Sequence, residues 1–78
     1  MHFKNDTDLY RTISNNIKYY REQAKLTQVQ LAEQAQISIS YLSKIEASKC
    51  EKSLSISVLN QIANVLGVEI TKFFNQEV

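Results

Sequence analysis

Covalent chemistry has few candidates in this chain. The one cysteine, Cys50, has Lys49 and Lys52 close by in sequence, a setting that favours a thiolate. An incidental reduced cysteine is the simpler reading. The one histidine, His2, stands near the amino-terminal end. A single thiol forms no internal disulfide, and one thiol with one imidazole cannot build a zinc site. No nucleophile, base and orienting partner can be assembled at a workable spacing, so no enzyme, metal or cofactor is expected. What remains is the chemistry of recognition. Ser38, Ile39, Ser40, Ser43 and Lys44 combine hydroxyl donors, one cation and one apolar side chain within a single short stretch. An isoleucine on the outward side of such a stretch is awkward for a face that only meets water.

Those residues need helices to hold them, and the apolar spacing supplies them. Leu9, Ile13, Ile17, Tyr20 and Ala24 fall at steps of three and four, which predicts a first helix opened by Thr7 or Asp8 and ending near Lys25. Residues 1–7 read as a tail with Phe3 as its anchor, and 76–78 as a frayed end. Thr27 with Gln30 three residues on has the spacing of a capping box and opens a short second helix, whose buried side is Leu31, Ala32 and Ala35. Ser38 opens a third in the same way, with Tyr41, Leu42 and Ile45 along it. Residues 47–53 read as a polar loop. Ser55 caps a fourth helix with the stripe Ile56, Leu59, Ile62, Ala63 and Leu66, and Gly67 ends it in the left-handed conformation that glycine favours. A last turn from Glu69 to Phe74 hides Ile70 and Phe73. The expectation is an all-α domain of five helices over residues 8–75.

Composition agrees. The chain has 78 residues, 44% of them hydrophobic and 22% charged, with one glycine and no proline, so residues for hairpin turns are lacking. A chain this short buries about 60–65% of its unfolded surface, enough for one core. No apolar run approaches the roughly 18 residues of a bilayer span, and the start of the chain lacks a signal-peptide core, so a cytoplasmic protein is expected with no membrane partner. The net charge of +1 decides little, because only a face that meets phosphate has to be positive.

The second and third helices are separated by about three residues, Gln36 to Ser38, and so short a turn makes them cross as a helix-turn-helix. Ala32 supplies the small side chain at the crossing. Leu31, Ala35, Ile37, Leu42 and Ile45 face the common core, which leaves Ile39, Ser40, Ser43 and Lys44 outside. The run from Thr27 to Glu33, followed by Ile37 to Glu46, resembles the phage repressor and Cro-type (XRE-like) helix-turn-helix family. Arg21, the Ser55–Val68 segment, Ile70 and Phe73-Phe74 extend the likeness over about residues 10–74. Two departures stand out. The turn residue that is usually glycine is Gln36, at a strain cost of about 1 kcal/mol if its φ is positive. Ala47-Ser48 replaces the usual pair ending in glycine.

The resemblance implies a compact five-helix, lambda-repressor-like fold with the helix-turn-helix at helices 2 and 3. It implies a sequence-specific regulator of transcription, a repressor or autoregulator, that binds double-stranded DNA. Base contacts fall to Ser38, Ile39, Ser40 and Lys44. Lys44 suits guanine O6 or N7 and Ile39 a thymine methyl. Phosphate contacts fall to Arg21, Gln28, Ser43, Lys49 and Lys52, and Tyr41 is either another of these or a half-buried packing residue. Arg21 and Glu46 are expected to form an ion pair that ties the first helix to the end of the third and fixes the reading angle. Phe74, with Leu54 or Val58, is the candidate dimer patch. Val78 adds further apolar surface there. A homodimer would read two half-sites about 34 Å apart. No small-molecule ligand is expected, because there is no room for a domain to bind one. The alternative is a protein-interaction module on the same fold that has lost DNA binding.

Overall fold

Asn5 starts the first helix. Its backbone is extended and its side-chain oxygen accepts from the Asp8 amide at 2.9 Å. Helix α1 therefore runs Asp6–Gln23, beginning ahead of Thr7 and Asp8, the caps expected from sequence. Asp6 and Asp8 then lie in the first turn, where the helix dipole favours acids. The computed structural model describes residues 2–49 and 54–76. Cys50 and Lys52 lie outside the described residues, as does Val78.

Helix α2 (Gln28–Ala35) opens with the full capping box, Thr27 Oγ1 accepting from the Gln30 amide at 3.1 Å and Gln30 Oε1 from the Thr27 amide at 2.8 Å. Ser38 caps α3 (Ile39–Glu46) by accepting from the Tyr41 amide, and Ser55 caps α4 (Ile56–Leu66) by accepting from the Val58 amide, each at 3.0 Å. In place of a fifth α-helix the chain makes a 3₁₀ helix, Ile70–Phe74. Five residues form too few i→i+4 bonds to sustain an α-helix, and the tighter i→i+3 pattern wins over short runs.

The four α-helices of the described residues end alike. The Leu26, Ile37, Lys49 and Val68 amides reach back five residues to the carbonyls of Arg21, Ala32, Lys44 and Ala63, at 2.9–3.1 Å. The residue before each turns left-handed: Lys25 (φ 59°), Gln36 (61°), Ser48 (60°) and Gly67 (69°). This is the Schellman closure, which satisfies the last carbonyls of a helix. Leu26, Ile37 and Val68 then tuck against the core. Three of the four joints use a residue with a Cβ, at about 1 kcal/mol of strain each.

The core gathers Ile13 and Ile17 of α1, Leu31, Ala32 and Ala35 of α2, Leu42 and Ile45 of α3, Leu59, Ile62 and Ala63 of α4, and Phe73 of the 3₁₀ helix. Leu9, Tyr20, Tyr41 and Leu66 pack half-buried against it, and two residues expected on apolar stripes are exposed. Ala24 is exposed because α1 has already ended, and Ile56 is 69% exposed because it is the first residue of α4, ahead of the turn that meets the core. Two polar residues are inside it, Ser14 and Asn16. Asn16 Nδ2 donates to the carbonyls of Phe73 and Asn75, both at 2.8 Å, and so ties α1 to the 3₁₀ helix. Nearby, Gln76 Nε2 donates to the His2 carbonyl at 2.8 Å and the His2 amide donates back to Gln76 Oε1 at 3.3 Å.

Candidate functional site

Burial on α3 alternates with the helical period. Leu42 and Ile45 point into the core, while Ile39, Ser40 and Lys44 are exposed, Ile39 to 42%. Ser38, at the cap, is exposed too. Ser40 and Lys44 stand one turn apart on the same outer face. The four residues expected to read bases therefore share one accessible surface at the start and outer side of α3. Tyr41 is half-buried against the edge of the core, and Lys49 is exposed just past the helix.

Behind that surface lies a polar cluster. Arg21 Nε donates to Glu46 Oε2 at 2.7 Å, Arg21 Nη2 to Glu46 Oε1 at 3.0 Å, and Arg21 Nη1 to the Leu26 carbonyl at 2.8 Å. The side chains are 12% and 3% exposed, so the fork-to-carboxylate pair is largely shut off from water. The hydrogen bond that Arg21 donates to Glu46 raises the Arg21 pKa above its ordinary value, against the opposing effect of burial. Gln28 completes the cluster: its Nε2 donates to Glu46 Oε1 at 3.0 Å and its Oε1 accepts from Ser43 Oγ at 3.1 Å. The acceptor-only carboxylate and the donating hydroxyl together fix which way the amide faces. The cluster joins α1, the start of α2 and the last turn of α3.

The sequence assigns Arg21, Gln28 and Ser43 to phosphate and pairs Arg21 with Glu46. The structure brings them together, with Glu46, into one network. Arg21 retains N–H groups beyond the three bonds described, and Gln28 retains a second Nε2 hydrogen. Gln28 and Ser43 bond each other, which nothing in the periodicity announces. Leu54, Val58 and Phe74 are each half-buried against the core, so each offers only part of its side chain to a partner. Ser14 and Asn16 went unassigned. Their signal was available, since Asn16 falls three residues after Ile13, on the stripe itself, and Ser14 sits one turn ahead of Ile17.

Three further features bear on what the surface can do. Among the described residues no group of histidine, cysteine, aspartate and glutamate side chains is placed to hold a metal ion. Among the same residues no helix is long and apolar enough to cross a membrane. A shallow cavity of about 570 Å³ opens between α4 and the 3₁₀ helix, lined by Asn60, Asn64, Gly67, Glu69 and Thr71 among others, away from α3.

Comparison with known proteins gives three likenesses. The family described as Helix-turn-helix matches residues 17–73. The chain is 42% identical over 66 residues to an immunity repressor protein of Bacillus phage phi105, a match that takes in 85% of this chain and 44% of that protein. The chain thus spans less than half the length of that relative. Its fold is similar to that of a protein from Neisseria described as the hypothetical transcription factor NHTF, with a TM-score of 0.81 over 96% of this chain and 84% of that one, at 21% identity.

Proposed function

Since the chain belongs to the helix-turn-helix family of phage repressor and Cro type, we propose that it is a sequence-specific DNA-binding regulator of transcription, a repressor or autoregulator, which reads an inverted repeat as a homodimer in the cytoplasm. The observation that carries this is the exposed face of α3, where Ile39, Ser40 and Lys44 project from a helix whose last turn is anchored by the Arg21–Glu46–Gln28–Ser43 network. Rigid support of this kind is what base reading needs, because hydrogen bonds to base edges tolerate little misplacement.

In this reading Lys44 donates to guanine, Ile39 packs on a thymine methyl, and Ser38 and Ser40 contact bases or sugar-phosphate oxygens. The spare N–H groups of Arg21 and Gln28, the Tyr41 hydroxyl, and Lys49 and Lys52 hold the backbone on either side, and Ser43 joins them only by releasing its bond to Gln28. Leu54, Val58 and Phe74 contribute the edge of a two-fold contact. Two copies double the few base pairs that one α3 reaches.

The test is selection of bound duplexes from a random pool at about 0.15 M salt. Enrichment of an inverted repeat with half-site centres about 10 bp apart is expected. No enrichment by a folded chain would reject the reading. A second reading, a protein-interaction module on this fold, draws on the net charge of only +1 and on the exposed Val29 and Ile39. It expects any DNA binding to be weak and nearly independent of salt, whereas several phosphate contacts give a slope of about one unit each.

A further inference from the structure

The Arg21–Glu46 pair is not the only bond between α1 and the end of α3. Ser14 lies seven residues before Arg21, on the same side of α1, and is 3% exposed. Its Oγ is 2.8 Å from the Tyr10 carbonyl and 2.5 Å from the Ile45 carbonyl. The Tyr10 carbonyl stands where helical serines commonly back-bond to their own preceding turn, but the hydroxyl has one proton to share between two acceptors, and the shorter contact, to Ile45, takes the larger part of it. The Ile45 contact is not local. It reaches across 31 residues of sequence to the last turn of α3.

Seven residues of helix are about 10 Å long, so Ser14 and Arg21 hold α3 at two well-separated points along α1. The core contacts of Ile37, Leu42 and Ile45 seat the helix, and the two directional bonds, at Ile45 and Glu46, restrict the rotation that apolar packing alone leaves. Gln28 adds a third hold, from α2 to Ser43. All three grip residues 43–46, and Ser38, Ile39 and Ser40 project beyond them. Small rotations at the gripped end become larger displacements at the projecting end. An alanine would fit the space and suit the helix better. The hydroxyl adds only its bond, since a buried polar group without one is unfavourable.

We infer that Ser14 is a positioning residue for base reading: it sets the angle of α3 through the Ile45 carbonyl and so determines specificity without touching DNA. This rests on the reading that α3 meets base edges. The test compares the full chain with Ser14→Ala and with Ile13→Val, which trims the neighbouring core residue but leaves the α1–α3 bonds alone. Each is titrated with the selected duplex and with a scrambled duplex of equal length, at a temperature where all are folded. Ser14→Ala is expected to lower the ratio of the two affinities roughly fivefold, the low end of what one mismatched base pair costs, while Ile13→Val leaves it within about twofold. Ser14→Cys, with its weaker donor, is expected to fall between. In the free protein Ser14→Ala should also speed amide exchange at Ala47 and Ser48 more than at Phe73. An unchanged ratio, or exchange that rises evenly over the chain, would reduce Ser14 to a packing residue and overturn the inference. Failure of the unaltered chain to tell the two duplexes apart is a different result, and it would overturn the DNA reading and this inference with it.

Discussion

Glu46 accepts three hydrogen bonds on one carboxylate, two from Arg21 and one from Gln28. Removing it strands a mostly buried guanidinium, so Glu46→Ala is expected to lower stability by about 3 kcal/mol in a urea titration. A loss below about 1 kcal/mol would mean that the pair behaves as a surface contact. The pair brings no pH dependence near neutrality through Arg21. A base whose pKa is raised on folding contributes its full stability below its ordinary value and loses it only as pH rises past the folded value, which for arginine is far into alkali. The two exposed lysines should separate base reading from backbone contact. Lys44→Ala is expected to weaken binding by about 1–3 kcal/mol and relax preference at one base pair, while Lys49→Ala weakens all duplexes alike and flattens the salt slope by about one unit. Equal effects of the two would remove the distinction between them. At this scale the outward positions of Ile39, Ser40 and Lys44 were legible from the helical period, and the Arg21–Glu46 pair from the family resemblance. The Gln28–Ser43 bond and the bonds of Ser14 and Asn16 were not. A period reports which way a side chain faces, and says nothing of which distant carbonyl will meet it.

The joints between helices carry their own energetics. Gly67 adopts φ 69° with open space where a Cβ would stand, so Gly67→Ala isolates the backbone cost of a left-handed residue, about 1 kcal/mol, free of any clash. Gln36 is the reverse experiment. Gln36→Gly is expected to stabilise the fold by about 0.5–1 kcal/mol, because relief of strain outweighs the entropy that glycine adds to the unfolded chain. A rise of a few degrees in melting temperature would register it, and a fall would show that the Gln36 side chain contributes something the joint needs. The sequence marked Gly67 by its identity and Gln36 by its departure from the family. Ser48, which stands where the family pair ends in glycine, was marked in the same way. Lys25 carried no such mark, since a residue with a Cβ adopts this conformation only when the helices on both sides oblige it. The same logic explains the shortened last element. Ile70 and Phe73 have the spacing of a helix face, but five residues form too few bonds for an α-helix, and the segment settles as 3₁₀.

Over the whole molecule, α1 and the 3₁₀ helix form the closing contact. Phe73 is fully buried, its ring 6.4 Å from that of Tyr20, and the Asn16 amide holds the carbonyls on either side of Phe74. Asn16→Ala leaves those carbonyls without their buried donor and is expected to cost about 1–3 kcal/mol, with the melting of the 3₁₀ helix no longer coincident with that of α3. A single unchanged transition of undiminished stability would contradict this. Helix order and most of the core were legible from sequence because apolar spacing encodes both. The meeting of His2 with Gln76 was not, because it depends on how four helices pack at once. The pairing of His2 with Gln76 now acquires a kinetic meaning. The bond from Asn16 to Phe73 closes a loop of 57 residues, among the most entropically demanding closures the chain can make, and the folding rate should feel it. Joining the neighbouring residues His2 and Gln76 by a short linker and opening the chain between α3 and α4 would turn that closure into a local one. Such a circular permutant should keep the fold and reach it sooner.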